Sequence, residues 1–138
     1  MTKQKILVVK TSWSYAIINS EEIGAQFYEK LFELDPALRV LFKPEMQAQT
    51  KKLMTMITFV ISKLQTLEDI ISEVNALAQR HVRYGVRAEY YQTVGLALLW
   101  TLEKNLGDYW NTETQQAWTE VYTLLSNAMI EAANTTMA

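Results

Sequence analysis

Any metal chemistry with an imidazole ligand must involve His81, the one histidine in this sequence, unless an oligomer shares the site. His81 continues an apolar stripe of Ile70, Val74 and Leu77 at three- and four-residue steps, a spacing that directs its imidazole toward the core. One interpretation is a core histidine with a hydrogen-bond partner. The other is an axial haem ligand, because one proximal histidine commonly holds haem iron. Position in the stripe does not decide between them.

The composition removes several other kinds of site. Cysteine is absent, which excludes disulfides, thiolate metal sites and cysteine nucleophiles. Because the chain has one histidine and no cysteine, zinc fingers, HExxH peptidases and triads that need a histidine plus a thiol are excluded as well. The 13 basic and 15 acidic residues give a net charge of −2, without the basic surplus of a general nucleic-acid binder. We therefore expect no nucleic-acid partner.

Length and hydropathy place the chain among single-domain globular proteins. Its 138 residues match one compact domain, and an apolar fraction of 49% argues against disorder. Only four apolar residues, 6–9, precede Lys10, which is too short a run for a signal peptide. No run approaches the roughly 18 apolar residues of a membrane helix. We expect a soluble, cytoplasmic protein without a membrane partner.

Long helices must position His81 and the apolar residues around it, because the chain has only four glycines and two prolines. The pattern predicts six or seven helices, one domain and no strand. A helix opens at Ser20, and Asp35 caps a short helix that has Pro36 at its first position. Gly107 ends the helix that begins near residue 88, and Thr112 with Gln115 forms a capping box for the last helix. The inward residues include Ile6, Val9, Trp13, Ile23, Phe27, Leu31, Leu34, Leu38, Ile57, Val60, Leu98 and Trp118.

Four segments in fixed order carry a more specific pattern. They are residues 26–42, which end on Phe42, the stretch Gln49-Thr-Lys-Lys-Leu53-Met, the stretch Arg80-His81-Val-Arg-Tyr-Gly85-Val86, and residues 91–99 followed by 117–122. Their order and spacing over about a hundred residues resemble the globin family. The resemblance is closest to single-domain bacterial globins, neuroglobins and the globin domain of flavohaemoglobins.

The resemblance implies a globin fold of six to eight helices around haem b (iron protoporphyrin IX), in one globin domain spanning residues 1–138. His81 corresponds to the proximal iron ligand. Tyr28 and Gln49 correspond to the distal pair, which holds the gas and carries any catalysis. The other residues implied to contact the haem are Phe42, Lys52, Leu53, Leu77, Tyr84, Val86, Tyr91 and Val94.

Simpler roles stay open for several of these residues. Ordinary core packing of Phe42, Leu53 or Val94 would look the same in sequence. Lys52 and Tyr84 pair with haem propionates in one interpretation and lie on a solvated surface in the other. A tyrosine buried at position 28 needs a partner for its hydroxyl, and a bound gas is one such partner.

The distal pair predicts the ligand chemistry. Tyrosine and glutamine both donate hydrogen bonds, which favour dioxygen over the less polar carbon monoxide. We expect reversible binding of O2, CO and NO, with slow release of O2. Nitric oxide dioxygenation is the expected reaction, and the external electron donor would be a reductase.

Two positions depart from the closest families. Neuroglobins have a second iron-binding histidine where this chain has Gln49, so ligation by two histidines of one chain is excluded. Flavohaemoglobins have a glutamate that supports the proximal imidazole together with a tyrosine. Tyr91 corresponds to that tyrosine, but Ala133 occupies the glutamate position, with Glu131 two residues earlier.

Two other classes of function remain as alternatives. One is a haem-based gas sensor that acts through a partner protein. The other is a haem-free helical interaction module on the same scaffold. The expected oligomeric state is a monomer or a weak homodimer.

Overall fold

Apolar residues at helical spacing form the helices that the sequence predicts. A computed structural model describes residues 1–42, 45–83 and 86–137. In these ranges six α-helices are joined by short 3₁₀ turns, and no strand occurs, so the all-α prediction is confirmed. The helices are α1 (Lys3–Ala16), α2 (Ser20–Leu34), α3 (Gln47–Ser62), α4 (Ile71–Arg83), α5 (Tyr90–Leu106) and α6 (Thr112–Met137).

The helices pack in pairs around one core. Helix α6 contacts α1 and α4, and α2 contacts α3 and α5. The buried apolar side chains come mainly from α1, α2, α3, α5 and α6 and form one continuous cluster. Among the described residues, no helix combines the length and the hydropathy that crossing a bilayer requires.

The helix ends confirm two predictions and correct a third. The Asp35 side chain accepts a hydrogen bond from the Ala37 N–H at 3.2 Å, at the start of a 3₁₀ turn. Gly107, with φ of +53°, ends α5. The cap of α6 is Asn111, whose side chain accepts from the Thr114 N–H at 2.9 Å, so the predicted Thr112 cap is wrong. Both residue types can cap, and the one directly before the first helical residue does so.

One inward prediction on α2 is also wrong. Ile23, Phe27 and Leu31 are buried, whereas Leu34 is 42% exposed. Leu34 is the last residue of its helix, and the chain turns away at Asp35. Leu38 in the following 3₁₀ turn is the next buried leucine.

Two tryptophans join three helices in the core. Trp13 of α1 and Trp118 of α6 pack with ring centroids 5.9 Å apart. The Trp13 indole N–H donates to the Thr58 hydroxyl at 3.0 Å, and the Trp118 indole N–H donates to the Ser12 hydroxyl at 2.8 Å. Both polar ring edges are thereby satisfied, so the bulky rings are buried without an unpaired N–H.

Helices α2 and α3 cross at a glycine. A Cβ atom built on Gly24 would lie 2.1 Å from Cγ2 of Thr50, which is far inside van der Waals contact. Only a residue without a side chain at position 24 leaves room for the Thr50 methyl group against α2. Since Gly24 lies one turn before Tyr28 and Thr50 follows Gln49, this crossing determines how α2 and α3 present those two residues.

We expect Gly24→Ala to destabilise the protein by a net of about 1 kcal/mol. Overpacking costs about 1–3 kcal/mol, and a gain of about 1 kcal/mol in helix propensity offsets part of it. Adding Thr50→Ser removes the clashing methyl group and should restore the free energy of unfolding to the wild-type value or above it. Urea denaturation of the two single variants and the double variant measures this. A double variant no more stable than Gly24→Ala would contradict the clash.

Candidate functional site

His81 lies half-buried in the last two turns of α4, with one ring nitrogen engaged. Its Nδ1 lies 2.8 Å from the backbone carbonyl oxygen of Leu77, one turn earlier. A carbonyl can only accept, so Nδ1 carries the proton and donates it. This tautomer leaves the lone pair of Nε2 available for a metal.

The surroundings of His81 favour the neutral form of its imidazole. Burial lowers the pKa of His81, and the charge of neighbouring Arg80 lowers it further, while the hydrogen bond to Leu77 acts in the opposite direction. The neutral form is the one that ligates a metal, because a protonated imidazole has no free lone pair. The site therefore favours the ligating form over a wider pH range than free histidine does.

Tyr91 and Val86, two of the residues predicted to contact the haem, lie next to this histidine. The rings of Tyr91 and His81 stack with centroids 6.5 Å apart and planes 24° from parallel. The Val86 N–H donates to the His81 carbonyl at 2.9 Å, after the end of α4. Val94, on α5 one turn beyond Tyr91, is half-buried and packs against the core. We refer to His81, Leu77, Tyr91 and Val86 as the proximal group.

Tyr28 is the centre of a second group. It is only 5% exposed, and its ring packs against three phenylalanines of α2 and the following segment. Phe27 and Phe42 meet it edge to face at centroid distances of 5.0 and 5.4 Å, and Phe32 stacks at 6.1 Å. The aromatic contacts hold the ring, so its hydroxyl has a defined position.

Gln49 supplies the polar partner of Tyr28. Burial raises the pKa of Tyr28 to about 12, although hydrogen bonding with the Gln49 side chain lowers it. An amide N–H donating to the phenolic oxygen has this effect, because it favours the ionised form. The phenol therefore stays protonated at neutral pH and can donate its own proton to a third group. We refer to Tyr28, Gln49 and Phe42 as the distal group.

The remaining predicted residues occupy different surroundings. Leu53 lies one turn beyond Gln49 on α3 and is half-buried against the core. Lys52 is exposed, which agrees with both roles considered for it. Tyr84 lies outside the described residues.

The residues present fit a haem by the chemistry of their donor set. One neutral imidazole has Nδ1 engaged and Nε2 available, as in proximal ligation. Neighbouring aromatic and aliphatic side chains suit a flat apolar macrocycle. The distal group offers two uncharged hydrogen-bond donors, the phenol and the amide, which suit a neutral gas.

Three features of the site escaped the sequence analysis. The carbonyl of Leu77 orients the imidazole, Gly24 sets the crossing of α2 and α3, and the Tyr122 hydroxyl donates to the Tyr91 carbonyl. A sequence does not show which backbone carbonyl accepts a hydrogen bond from a side chain. Tyr122 belongs to the segment 117–122, but nothing there shows what its hydroxyl contacts.

Comparisons with known proteins agree on one family. A family model described as Globin matches residues 25–129. A neuroglobin from Danio rerio is 29% identical, covering 88% of this chain and 86% of that protein. A flavohemoprotein from Oceanobacillus iheyensis is 28% identical over 94% of this chain, which spans 33% of the relative. The solved bacterial globin from Campylobacter jejuni has a TM-score of 0.88 at 27% identity, with 99% of both chains covered. The resemblance is confirmed, and the chain belongs to the globin family.

Proposed function

We propose that this chain binds haem b through Nε2 of His81 and reversibly holds O2, CO or NO, within one globin domain spanning residues 1–138. Membership of the globin family implies haem binding. The observation that carries the proposal is the 2.8 Å contact of Nδ1 with the Leu77 carbonyl, which leaves Nε2 as the ring nitrogen that could ligate iron. Bound haem would supply an iron atom at which one diatomic gas can bind.

The distal group accounts for selectivity among gases. Tyr28 presents a neutral, buried hydroxyl, since its raised pKa of about 12 keeps the proton in place. The Gln49 amide provides a second donor. Each hydrogen bond to a polar gas contributes about 1–2 kcal/mol in a dry site. CO is less polar and gains less, so the pair favours O2.

We further propose nitric oxide dioxygenation as the reaction. One NO, one O2 and one electron give nitrate, so each turnover requires a donor outside this chain. A flavohemoprotein relative is about three times the length of this chain, which leaves room there for further domains. In this chain Tyr28 and Gln49 would hold and polarise O2, while Leu53 would limit the space beside it.

Absorption spectra of the ferric, ferrous and CO forms of purified, haem-loaded protein test ligation. We expect one haem per chain and spectra typical of a single proximal histidine. Nitrate production from NO by O2-saturated protein, with an added reductant, tests the reaction. Failure to retain haem would contradict both proposals, whereas retained haem without nitrate production would contradict only the second.

We expect the ferric spectrum to show one pH transition, from water to hydroxide as the sixth ligand. We expect Tyr28 to compete poorly for the iron, because burial raises its pKa to about 12 and the phenol must lose its proton to bind. A titration of wild-type protein and Tyr28→Phe between about pH 6 and 10 measures this. The transition should persist in Tyr28→Phe, with a shifted midpoint because one donor is lost. A transition that disappears in this variant would instead identify Tyr28 as the ligand.

A further inference from the structure

We propose that the surface around the candidate haem site binds an acidic electron-carrier protein, which would be the donor that the proposed reaction requires. The inference rests on the proposed function, because it assigns the surface at which that donor meets this chain. The observation that carries it is an uneven distribution of charge, which exposed side chains near Gln49 and His81 bring to this site.

Cationic residues are concentrated in the two segments that contain the predicted site residues. Residues 39–53 and 80–89 have seven lysines and arginines and only two acidic residues, which gives them a net charge of +5. The rest of the chain has six cationic and thirteen acidic residues, a net charge of −7. The first segment includes Phe42 and Gln49, and the second includes His81. The positive charge therefore surrounds the candidate site, although the chain as a whole is acidic.

Four of these cations have exposed side chains in the structure. The four, which we call the basic rim, are Lys51, Lys52, Arg80 and Arg87. The two lysines lie two and three residues after Gln49 on α3, and the two arginines lie one residue before and six residues after His81. The basic rim therefore has one half beside the distal group and the other half beside the proximal group.

The basic rim keeps most of its positive charge. Within residues 1–42, 45–83 and 86–137, the one ion pair that involves the rim joins Arg87 to Glu89 at 3.8 Å. Both of these side chains are exposed, at 73% and 70%, so water screens the pair. The two propionates of a bound haem b could neutralise only part of a surface with four cations. A net positive charge therefore remains for a partner with the opposite charge.

The extent of the positive surface favours a compact acidic protein over a nucleic acid or a membrane. A long or wide polyanion would extend past the basic rim onto the rest of the chain, where the net charge of −7 repels it. A small acidic protein can contact the basic rim alone. Complementary charge of this kind raises association rates by about 10–10³-fold and orients the two partners before contact.

The step at this surface transfers one electron and no atom. The reduced carrier loses one electron, and the ferric iron of a bound haem gains it and becomes ferrous. The basic rim takes no part in that chemistry. It holds the carboxylates of the carrier beside the site, so its residues affect how often and how long the carrier is bound.

Two measurements on the haem-loaded protein test the proposal, with flavodoxin as the acidic probe. Calorimetric titration measures the binding of flavodoxin, and stopped-flow absorption measures how fast reduced flavodoxin converts the ferric protein to its ferrous CO form. We expect affinity and rate to fall at least about tenfold between about 0.01 and 1 M salt, because the Debye length shortens from about 30 to 3 Å. Values that do not change with salt would overturn the proposal.

A pair of charge reversals locates the surface. Lys51→Glu/Arg80→Glu should weaken binding and slow reduction by about tenfold or more at low salt. The matched control is Lys3→Glu/Lys104→Glu, which changes the net charge equally at two exposed lysines outside both segments. We expect wild-type affinity and rate in the control. Identical absorption spectra of the CO forms would show that the haem site is intact in all three proteins.

The outcomes separate this inference from the proposed function. Equal losses in the rim variant and the control would overturn the assignment of the surface. Binding to vesicles of phosphatidylglycerol, an anionic lipid, without binding to flavodoxin would overturn the acidic carrier in favour of a membrane. A wild-type protein that retains no haem would contradict the proposed function itself. Retained haem with no effect of salt or of the rim charges on flavodoxin would contradict only this inference.

Discussion

His81→Gly should give a protein that loses haem on the order of a hundredfold faster than the wild type, or more. Even the partners that orient a metal ligand change affinity by about 10–100-fold, so removal of the ligand itself has at least that effect. Free imidazole should restore the spectrum, because the glycine leaves space for it beside Tyr91 and Leu77. Haem transfer to a scavenging protein, followed by absorption with and without imidazole, measures both effects.

Gln79→Gly is the matched control for this variant. Gln79 is exposed on the same helix, α4, so the substitution imposes a similar backbone penalty of about 1 kcal/mol without touching the proximal group. We expect wild-type haem loss in the control, with only a lower melting temperature. If His81→Gly retains a proximal-histidine spectrum without added imidazole, the assignment of His81 is wrong.

The second large effect concerns the distal group. Tyr28→Phe should release O2 roughly tenfold faster, since 1.4 kcal/mol corresponds to a factor of ten. Gln49→Leu should also accelerate release, and the double variant should be the fastest. Because the two side chains bond each other, the effects should not add, with a coupling energy of about 0.5–3 kcal/mol. Stopped-flow measurement of O2 dissociation from the wild type, the two single variants and the double variant gives this coupling energy.

Tyr15→Phe and Gln47→Leu are the controls for these substitutions. Both wild-type side chains are exposed, so the same chemical changes occur away from the distal group. Their O2 dissociation rates should equal that of the wild type. Rates unchanged within error in the Tyr28→Phe/Gln49→Leu protein would exclude hydrogen bonding by this pair. A slower CO release in the same protein would indicate a steric role instead.

The helices could be predicted because the spacing of apolar residues along the sequence shows which face of each helix is buried. Ile23, Phe27 and Leu31 fall on one face by spacing alone, and all three are buried. Asp35 followed by Pro36 specifies a local geometry that needs no tertiary partner. The cap of α6 was misassigned because Asn111 and Thr112 are both good caps, and the backbone angles that decide between them depend on the preceding turn.

The site could be predicted only in part, because backbone atoms make some of the contacts that orient its side chains. The lone histidine indicated His81, whereas Tyr28 and Gln49 were indicated only by the resemblance to globins. The contacts that orient them use backbone atoms, as in the bonds from His81 to Leu77 and from Tyr122 to Tyr91. Every residue has a carbonyl, so composition and spacing do not reveal which one accepts.

The glycine crossing of α2 and α3 also bears on how this protein could change over evolutionary time. Gly24 lies one turn from Tyr28 and Thr50 follows Gln49, and the Thr50 methyl group occupies the space that a side chain at position 24 would need. We expect a larger residue at either position to move α2 and α3 apart, and with them Tyr28 and Gln49. Ligand preference could therefore drift, or be engineered, by substitutions outside the predicted distal pair, while His81, Tyr28 and Gln49 all stay unchanged.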